Sequence, residues 1–356
     1  MSLLARYIFQ RHARLLLLTM CLGLGLYLLT EIVERVDIFI DNDAGMGLVL
    51  KYFACRLPGI VAQILPAVFL LATVVVLCLM GHSRELTALQ AGGISFSRVA
   101  FTLVMCGAFW GSMQFACAQF IGVQGDRLAT QIWQEQVRKR DMGAKTLEDV
   151  WFTEQGWTIS VKSLQLNGNG KGFSAFHVKE GTASDVDVII RAPRVKAVDE
   201  SWTAYDAVCF YPESFRREEL KKVDIPVQQD PELFFATSSV SLQQLPLWQL
   251  GDAIDQLGSA GSNVEGLRTV WHAKIAYASS LMVMALLGAA IVSWNSNIYI
   301  AVGISMAGTF ILYALTMFGE SLGQMGTLPP LVAAWFPDVL LLAVALSRLY
   351  FVSVRR

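Results

Sequence analysis

Six long apolar runs constrain this 356-residue chain more than any other feature of its sequence. A bilayer core about 30 Å thick is crossed by about 20 residues of apolar helix. Only 16% of the residues are charged, against about 25% in soluble domains. We therefore predict six transmembrane helices, within residues 15–38, 56–81, 99–121, 271–293, 297–318 and 332–352.

The region between the third and fourth runs is polar and holds most of the acidic side chains. Stretches such as GWTISVKSLQL alternate apolar and polar residues with period two, and NGNGKG (167–172) has turn chemistry. This spacing favours an antiparallel sandwich or jelly roll over alternating strands and helices. The predicted fold is an α-helical membrane protein with six transmembrane helices and an inserted antiparallel, jelly-roll-like β-domain.

Three predicted domains follow from this layout. They are transmembrane helices one to three (1–121), the β-domain with its flanking helices (122–265) and transmembrane helices four to six (266–356). Residues 125–140 are helical in pattern and extend the third span. LPLWQLGDAIDQLGSAG predicts a surface helix, with Pro246 in its first turn and Gly258 near its end.

The orientation rests on the basic residues of the chain ends and short loops. The first run resembles a signal peptide, but no small-residue cleavage site follows it, so we interpret it as a retained helix. An even number of spans puts both basic termini on one side, predicted to be the cytoplasm, together with residues 82–98 and the WNSN turn (294–297). The loop 39–55 and the β-domain then lie outside. The basic residues are Arg6, Arg11, Arg14, Arg84, Arg98, Arg348, Arg355 and Arg356.

The loop between the second and third runs has more structure than a plain turn needs. HSRELTALQAGGIS (82–95) predicts a short helix from Glu85 to Ala91 that Gly92-Gly93 ends. A charged helix of this kind at a membrane surface indicates a contact with a partner.

The motifs of common enzymes are missing from the sequence. NGNGKGF is not a Walker A motif, because Gly172 follows Lys171 and Gln165 occupies the position of the required glycine. The four histidines are scattered, without metal-ligand spacing, and GxSxG is absent. The six cysteines act as small apolar residues, and a net charge of −1 gives no sign of nucleic-acid binding. An energy-consuming role would need ATP hydrolysis by a partner.

Charged residues gather at the predicted outer ends of the first two helices. Two interpretations remain open: interfacial charges in mutual pairs, or a polar rim over a lipid-sized cavity that meets an amphiphile's headgroup. The residues are Glu31, Glu34, Arg35, Asp37, Lys51 and Arg56, with Glu320 just past the fifth span.

The stretch SRELTALQAGGIS resembles the segment between helices two and three of the LptF/LptG (YjgP/YjgQ) family of lipopolysaccharide export permeases. RYIFQRHARLLLLTMCLGLGLYLLTEIVERVD, LPGIVAQILPAVFLLATVVVL and LPPLVAAWFPD resemble the family as well. The layout of three helices, β-domain and three helices agrees along essentially the whole chain. WHAKIAYASSLMVMALLGAAI and the LPP stretch favour the LptG side.

The resemblance implies a transmembrane subunit of an ABC exporter in the inner membrane, with cytoplasmic termini and a periplasmic β-domain. It would extract lipopolysaccharide from the outer leaflet and pass it to a periplasmic bridge protein (LptC/LptA-like). The implied partners are a cytoplasmic ATPase homodimer (LptB-like) and a second LptF/LptG-type permease. This chain would bind no cofactor and would not be an enzyme, since ATP and Mg belong to the ATPase.

The resemblance also implies three sets of residues. Glu85 would lie in a coupling helix that docks on the ATPase, together with Arg84, Leu86, Leu89 and Gly92. The lysines with which some family members meet headgroup phosphates are replaced here by the acidic stretch TEIVERVDIFIDND and by Gly59. Arg35, Lys51 or Arg56 would then substitute, or the acidic cluster would engage the headgroups through divalent cations. The acyl chains would enter through a lateral gate between helices one and five. The candidates for its lining are Leu29, Val33, Leu65, Ile311 and Phe318, which ordinary packing or lipid contact would also explain.

Two other functions fit part of the sequence. A lipoprotein-release ABC subunit usually places its large outer domain after the first helix, whereas here it follows the third. A non-transporting envelope scaffold that presents a β-domain would need neither six spans nor a coupling helix.

Overall fold

The computed structural model describes residues 3–137, 146–154, 156–165, 168–178, 186–198, 201–212, 214–227, 244–259 and 263–354. The contacts within the chain separate two compact units. The helical unit comprises Met1–Trp133 and Glu265–Arg356, and the sheet unit comprises Gln134–Val264.

The helices are, in chain order, α1 (Leu3–Asp41), α2 (Met46–His82), α3 (Glu85–Ala91), α4 (Phe96–Cys117), α5 (Val123–Gln131), α6 (Leu247–Ser259), α7 (Glu265–Trp294), α8 (Ile298–Gln324) and α9 (Pro330–Val354). Two π-helical turns, Ala118–Gly122 and Ile132–Val137, join α4 to α5 and extend α5. The predicted extension of the third span is therefore helical as far as Val137, and residues 138–140 lie outside the described residues.

Among the described residues, six helical stretches are long and apolar enough to cross a membrane, which confirms the prediction from the apolar runs. They are α1, α2, Phe96–Val137, α7, α8 and α9. With 39 and 37 residues, α1 and α2 exceed the length that a bilayer core needs.

The centre of the helical unit is formed by α2 and α7. In each of these helices, 67% of an 18-residue apolar stretch is buried inside the protein, compared with 11% of such a stretch in α1 and 17% in α8. The core side chains come mainly from α2, α4 and α7. Because α1 and α8 leave most of their apolar surface uncovered, these two helices have faces for lipid or for another membrane helix.

Two glycines allow α4 and α7 to pack closely. A Cβ atom added at Gly107 would lie 2.7 Å from the Leu281 carbonyl oxygen, and one at Gly111 would lie 2.5 Å from the Ala278 carbonyl oxygen. Glycines four residues apart permit this kind of contact between membrane helices. The pattern is present in CGAFWGSM, but the sequence analysis did not single it out.

A proline in the middle of α2 creates a polar junction between helices. Pro66 has no backbone N–H, so the Ala62 carbonyl loses its helical partner. The Gln114 side chain of α4 donates to that carbonyl at 2.6 Å. The Tyr277 hydroxyl of α7 and the Tyr313 hydroxyl of α8 donate to the neighbouring Gln63 carbonyl, the latter at 2.9 Å. Because an unsatisfied carbonyl is costly in a bilayer, this turn ties α2 to three other helices.

In the described part of the sheet unit, six antiparallel strands form one sheet, and each strand pairs with the next in the chain. They are β1 (Thr146–Glu154), β2 (Trp157–Gln165), β3 (Asn169–Val178), β4 (Val186–Val198), β5 (Ser201–Tyr211) and β6 (Arg216–Ile225). The fold class predicted from the sequence, six membrane helices with an inserted antiparallel β-domain, is confirmed.

The sheet curls around its own apolar core. Phe152 of β1 and Trp202 of β5 have ring centroids 5.3 Å apart. In a flat sheet these strands would lie about 19 Å apart, because neighbouring strands are about 4.8 Å apart. Curling brings the apolar faces of distant strands into contact, so the sheet unit has its own core.

Along one line across the sheet, the alternation of buried and exposed residues shifts by one position. We call this line the crease. Buried residues alternate in β4 as Ile190 and Ala192, then shift by one position to Val195 and Ala197. The shift occurs at Pro193 in β4, and at Asp206 in β5 and Gly172 in β3. Asp206 has a φ of 54° and Gly172 a φ of 69°. In the strand register these three residues fall opposite one another, so one line of irregular backbone turns the sheet.

Candidate functional site

The predicted short helix is present as α3, from Glu85 to Ala91. Gly93 has a φ of 82°, the Ile94 N–H donates to the Leu89 carbonyl at 2.9 Å, and the Gly93 N–H donates to the Gln90 carbonyl at 3.0 Å. This pair of hydrogen bonds is the Schellman motif, which confirms that the two glycines end the helix.

The start of α3 has strained backbone. Arg84, the residue before the helix, has a φ of 57° in the left-handed region, which costs a non-glycine residue about 1–2 kcal/mol. Strain of this kind persists only where the surrounding structure holds it. Here it turns the chain between α2 and α3 so that the Glu85 side chain points toward α1.

Glu85 forms an ion pair with Arg11 of α1, where Nη1 lies 2.8 Å from Oε1 and 2.6 Å from Oε2. The Tyr7 hydroxyl donates to Oε2 at 2.9 Å, and the Ser83 hydroxyl donates to Oε1 at 2.7 Å. Nη1 also approaches the Tyr7 hydroxyl at 2.6 Å, so its two hydrogens are shared among three acceptors. We call Tyr7, Arg11, Ser83 and Glu85 the α1–α3 tether.

The tether keeps Glu85 ionised. Partial burial acts to raise the pKa of this carboxyl, but hydrogen bonds from Arg11, Ser83 and Tyr7 outweigh burial, and the pKa is lowered from its ordinary value. Glu85 is therefore a carboxylate at neutral pH whose nearest cation belongs to the same chain.

The remaining residues predicted for ATPase contact divide into two groups. Leu86 and Leu89 are half-buried and pack against the core of the helical unit. Arg84 and Gly92 are exposed. The surface of α3 away from the core consists of small or neutral side chains, namely Thr87, Ala88 and Ala91.

Several basic residues meet at the same end of the helical unit. The α1–α3 tether places the first turns of α1 beside α3. Arg348 Nη2 of α9 donates to the Ser293 carbonyl near the end of α7 at 3.3 Å. Basic side chains at one end of a helical bundle are typical of a cytoplasmic face.

A second polar cluster surrounds Glu31 of α1, whose side chain is only 5% exposed. Arg56 of α2 approaches its Oε1 at 2.5 Å, and Arg35 approaches the same oxygen at 3.2 Å. The guanidinium of Arg35 lies over the Trp133 ring at 4.6 Å and over the Tyr52 ring at 5.5 Å. We call these five residues the Glu31 cluster.

The composition of the Glu31 cluster bears on both interpretations of the outer charges. Two guanidinium groups share the Glu31 carboxylate, so mutual pairing is present, and the Asp126 carboxylate of α5 also interacts electrostatically with Arg56. Trp133 belongs to the second π-helical turn, an irregularity frequent at functional sites. Lys51 is exposed on α2.

Of the five residues predicted to line the lateral gate, four are exposed and one is buried. Leu29 and Val33 of α1 are 62% and 64% exposed, and Ile311 and Phe318 of α8 are 46% and 70% exposed. Leu65 is buried in the helical core. Both α1 and α8 pack against α2, so the four exposed residues occupy helices that share one neighbour.

Several members of these sites were not predicted from the sequence: Tyr7 and Ser83 in the tether, the role of Arg11 as the partner of Glu85, and Tyr52 and Trp133 in the Glu31 cluster. The spacing of Tyr7 and Arg11 is a local signal that places both on one face of α1. No local signal indicates that this face meets α3.

No group of side chains that could hold a metal ion was found within the described ranges.

Comparison with known protein families identifies a relationship. The sequence model of the family described as "Lipopolysaccharide export system permease LptF/LptG" matches residues 6–350. No curated protein matched the chain.

Proposed function

The chain belongs to the LptF/LptG family of lipopolysaccharide export permeases, and we propose that it is the transmembrane subunit of an ABC exporter. In this proposal it extracts lipopolysaccharide from the outer leaflet of the inner membrane and passes it to a periplasmic bridge protein. A second LptF/LptG-type permease and a cytoplasmic ATPase homodimer complete the exporter, and ATP and Mg are bound by the ATPase. The LptG-like assignment is supported by the helix-four and LPP stretches.

The observation that carries the coupling proposal is α3, a short ordered helix at the basic end of the helical unit. Basic residues at that end support cytoplasmic termini and a periplasmic sheet unit. We propose that the exposed surface formed by Arg84, Thr87, Ala88 and Ala91 contacts the ATPase. Small side chains allow close approach of a partner, while Leu86 and Leu89 hold the helix on the core.

The α1–α3 tether gives Glu85 a second role in this proposal. Its carboxylate already has a cation, Arg11, so a basic residue of the ATPase would share or displace that contact. Movement of α3 on the ATPase would then reach α1 directly. Since α1 is the least buried of the six spans, it is the helix that can move with the smallest loss of packing.

The substrate-contact proposal rests on the other ends of the same helices. Arg35 and Arg56, whose side chains are partly exposed, together with exposed Lys51, would contact the headgroup phosphates. The uncovered faces of α1 and α8, which carry Leu29, Val33, Ile311 and Phe318, would meet the acyl chains. We leave Leu65 out of the gate because it is buried in the core.

Copurification tests the proposed assembly. The tagged chain is extracted in mild detergent, and the proteins and lipids that accompany it are identified by mass spectrometry. We expect an ABC ATPase, a second six-helix permease and lipopolysaccharide. The variant Ala88→Arg should lose the ATPase and retain the second permease, because it blocks only the exposed face of α3.

Ser296→Arg is the matched control. It introduces the same side chain at an exposed position of the turn between α7 and α8, and it should retain both proteins. Recovery of the chain alone, from membranes in which the partners are expressed, would refute the exporter proposal and favour the envelope scaffold.

A further inference from the structure

The sheet unit contains a cavity of about 410 Å³ at the half of the sheet beyond the crease. Its volume falls within the range of small-ligand pockets, about 300–1,000 Å³. We call this cavity the sheet pocket. Its lining includes Ser163, Asn169, Lys171, Arg194, Lys196 and Tyr205.

Three cations line the sheet pocket on two neighbouring strands. Lys171 of β3 lies directly opposite Arg194 of β4, and Lys196 is two residues further along β4. Like charges directly opposite each other destabilise a strand pair. Arg194 has one ion pair, to Asp206 at 2.8 Å, and in the described part of the chain no carboxylate pairs with Lys171 or Lys196. Within the described residues, two of the three cations of the pocket therefore lack an acidic partner.

The crease explains why these cations share one surface. The shift in alternation at Pro193 moves Arg194 and Lys196 to the side opposite Val195 and Ala197, which are buried. Asp206, in a left-handed conformation that is uncommon outside glycine, is the residue that contacts Arg194. An unusual backbone conformation beside a charged cavity is a reason to look for function there.

We propose that the sheet pocket binds an anionic sugar, with Lys171, Arg194 and Lys196 contacting its phosphate group. Lysine and arginine form strong charge-assisted hydrogen bonds to phosphate oxygens. Ser163, Asn169 and Tyr205 supply neutral donors and acceptors of the kind that sugar hydroxyls need. That the sugar belongs to the exported glycolipid rests on the proposed function. The anion site itself does not.

Direct binding to the purified full-length chain in detergent tests this inference. The probes are inorganic phosphate, fully deacylated lipopolysaccharide and a neutral glucose oligomer, each titrated by isothermal calorimetry. Removing the acyl chains prevents binding through the apolar faces of α1 and α8. We expect the deacylated lipopolysaccharide to bind and the neutral oligomer not to bind.

The double variant Lys171→Glu/Lys196→Glu should weaken binding of the deacylated lipopolysaccharide at least tenfold. Arg191→Glu is the matched control, because Arg191 is exposed on the same strand but lies before the crease. It should change the affinity less than twofold. All substituted side chains are exposed, and Lys171→Glu replaces a like-charge pair with an opposite-charge pair, so no variant should melt at a lower temperature than the unmodified chain, which a melting curve checks.

Each outcome decides a part of the inference. Equal binding of phosphate and deacylated lipopolysaccharide, both lost in the double variant, would support an anion site and overturn the assignment to a sugar. Absence of binding, or binding that the double variant leaves unchanged, would overturn the site altogether. If copurification still recovers the ATPase and the second permease, the exporter proposal survives that failure.

Discussion

Breaking the contact between Arg11 and Glu85 is expected to loosen α3 from α1 without unfolding the helical unit. The two side chains are 25% and 32% exposed. A fully solvated ion pair contributes about 0.2–1 kcal/mol, and a hydrogen bond to a charged group contributes about 1.5–3 kcal/mol. The partly exposed Arg11–Glu85 pair lies between these limits. The upper limit is reduced because Arg11 Nη1 shares its two hydrogens among three acceptors. We expect a coupling energy of about 1–1.5 kcal/mol between the two residues.

A double-mutant cycle measures this coupling energy. The variants Arg11→Ala, Glu85→Ala and their combination are compared with the unmodified chain by the free energy of unfolding in mixed micelles. The contributions of Tyr7 and Ser83 to Glu85 appear in both variants that lack Glu85, so they cancel from the cycle. Hydrogen exchange at the α3 amides should be faster in both single variants.

The charge exchange Arg11→Glu/Glu85→Arg separates the tether from ATPase docking. It restores an ion pair within the chain but reverses the charge that α3 presents. We expect it to regain part of the lost stability and still fail to retain the ATPase. A coupling energy within the spread of independent sites, about 0.3–0.5 kcal/mol, would refute the tether as a stabilising contact.

Four further predictions address single features of the helical unit and its short helix. Glu31→Gln should lower the free energy of unfolding by about 1–3 kcal/mol, because Arg35 and Arg56 lose the carboxylate between them but remain partly solvated, whereas Glu34→Gln, at an exposed position of the same helix, should change it little. Gln114→Leu should lower the free energy of unfolding by about 1–3 kcal/mol, because the Ala62 carbonyl loses its donor; an unchanged value would show that the Ala62 carbonyl does not need this donor. Arg84→Gly should leave the chain more stable than Arg84→Ala, by about 1–2 kcal/mol, because only glycine relieves the left-handed conformation; equal stabilities would contradict the assigned strain. The pKa of Glu85 is lowered in the folded chain. The stabilisation that the ionised Glu85 side chain contributes should therefore be constant above the ordinary glutamate pKa of about 4.3. It should disappear as the pH falls through the lower pKa that Glu85 has in the folded chain. The difference in melting temperature between the unmodified chain and Glu85→Gln should therefore be flat from pH 8 to pH 6, and a decline within that window would contradict the prediction.

Local features of this chain were predictable from its sequence. The six spans follow from apolar length, which depends on the bilayer and not on the partners of each helix. The short helix from Glu85 to Ala91 follows from the glycines after it, because the hydrogen bonds that end a helix join residues four or five positions apart. Apolar alternation in stretches such as WTAYDAVCFY likewise indicated the strands.

Contacts between residues that are far apart in the sequence were not predictable in this way. The carboxylate of Glu85 was interpreted as a contact for a partner, yet its nearest cation is Arg11, 74 residues away in the chain. Arg35 and Arg56 were grouped by charge, but the sequence does not show that they share one oxygen of Glu31 or that Trp133 covers Arg35. Leu65 was placed in the gate because its apolar character does not distinguish a core face from a lipid face.

The sequence alone determined the number of membrane helices, the inserted antiparallel strands and the helix between the second and third spans. Each depends on a periodicity or a turn within a few residues. Only the tertiary structure decided which charges pair, which helix donates to the Ala62 carbonyl that Pro66 leaves open, and which sheet face carries Lys171 and Arg194. Those outcomes depend on how each helix is rotated about its axis and where each strand is creased, and both are set by packing against distant segments.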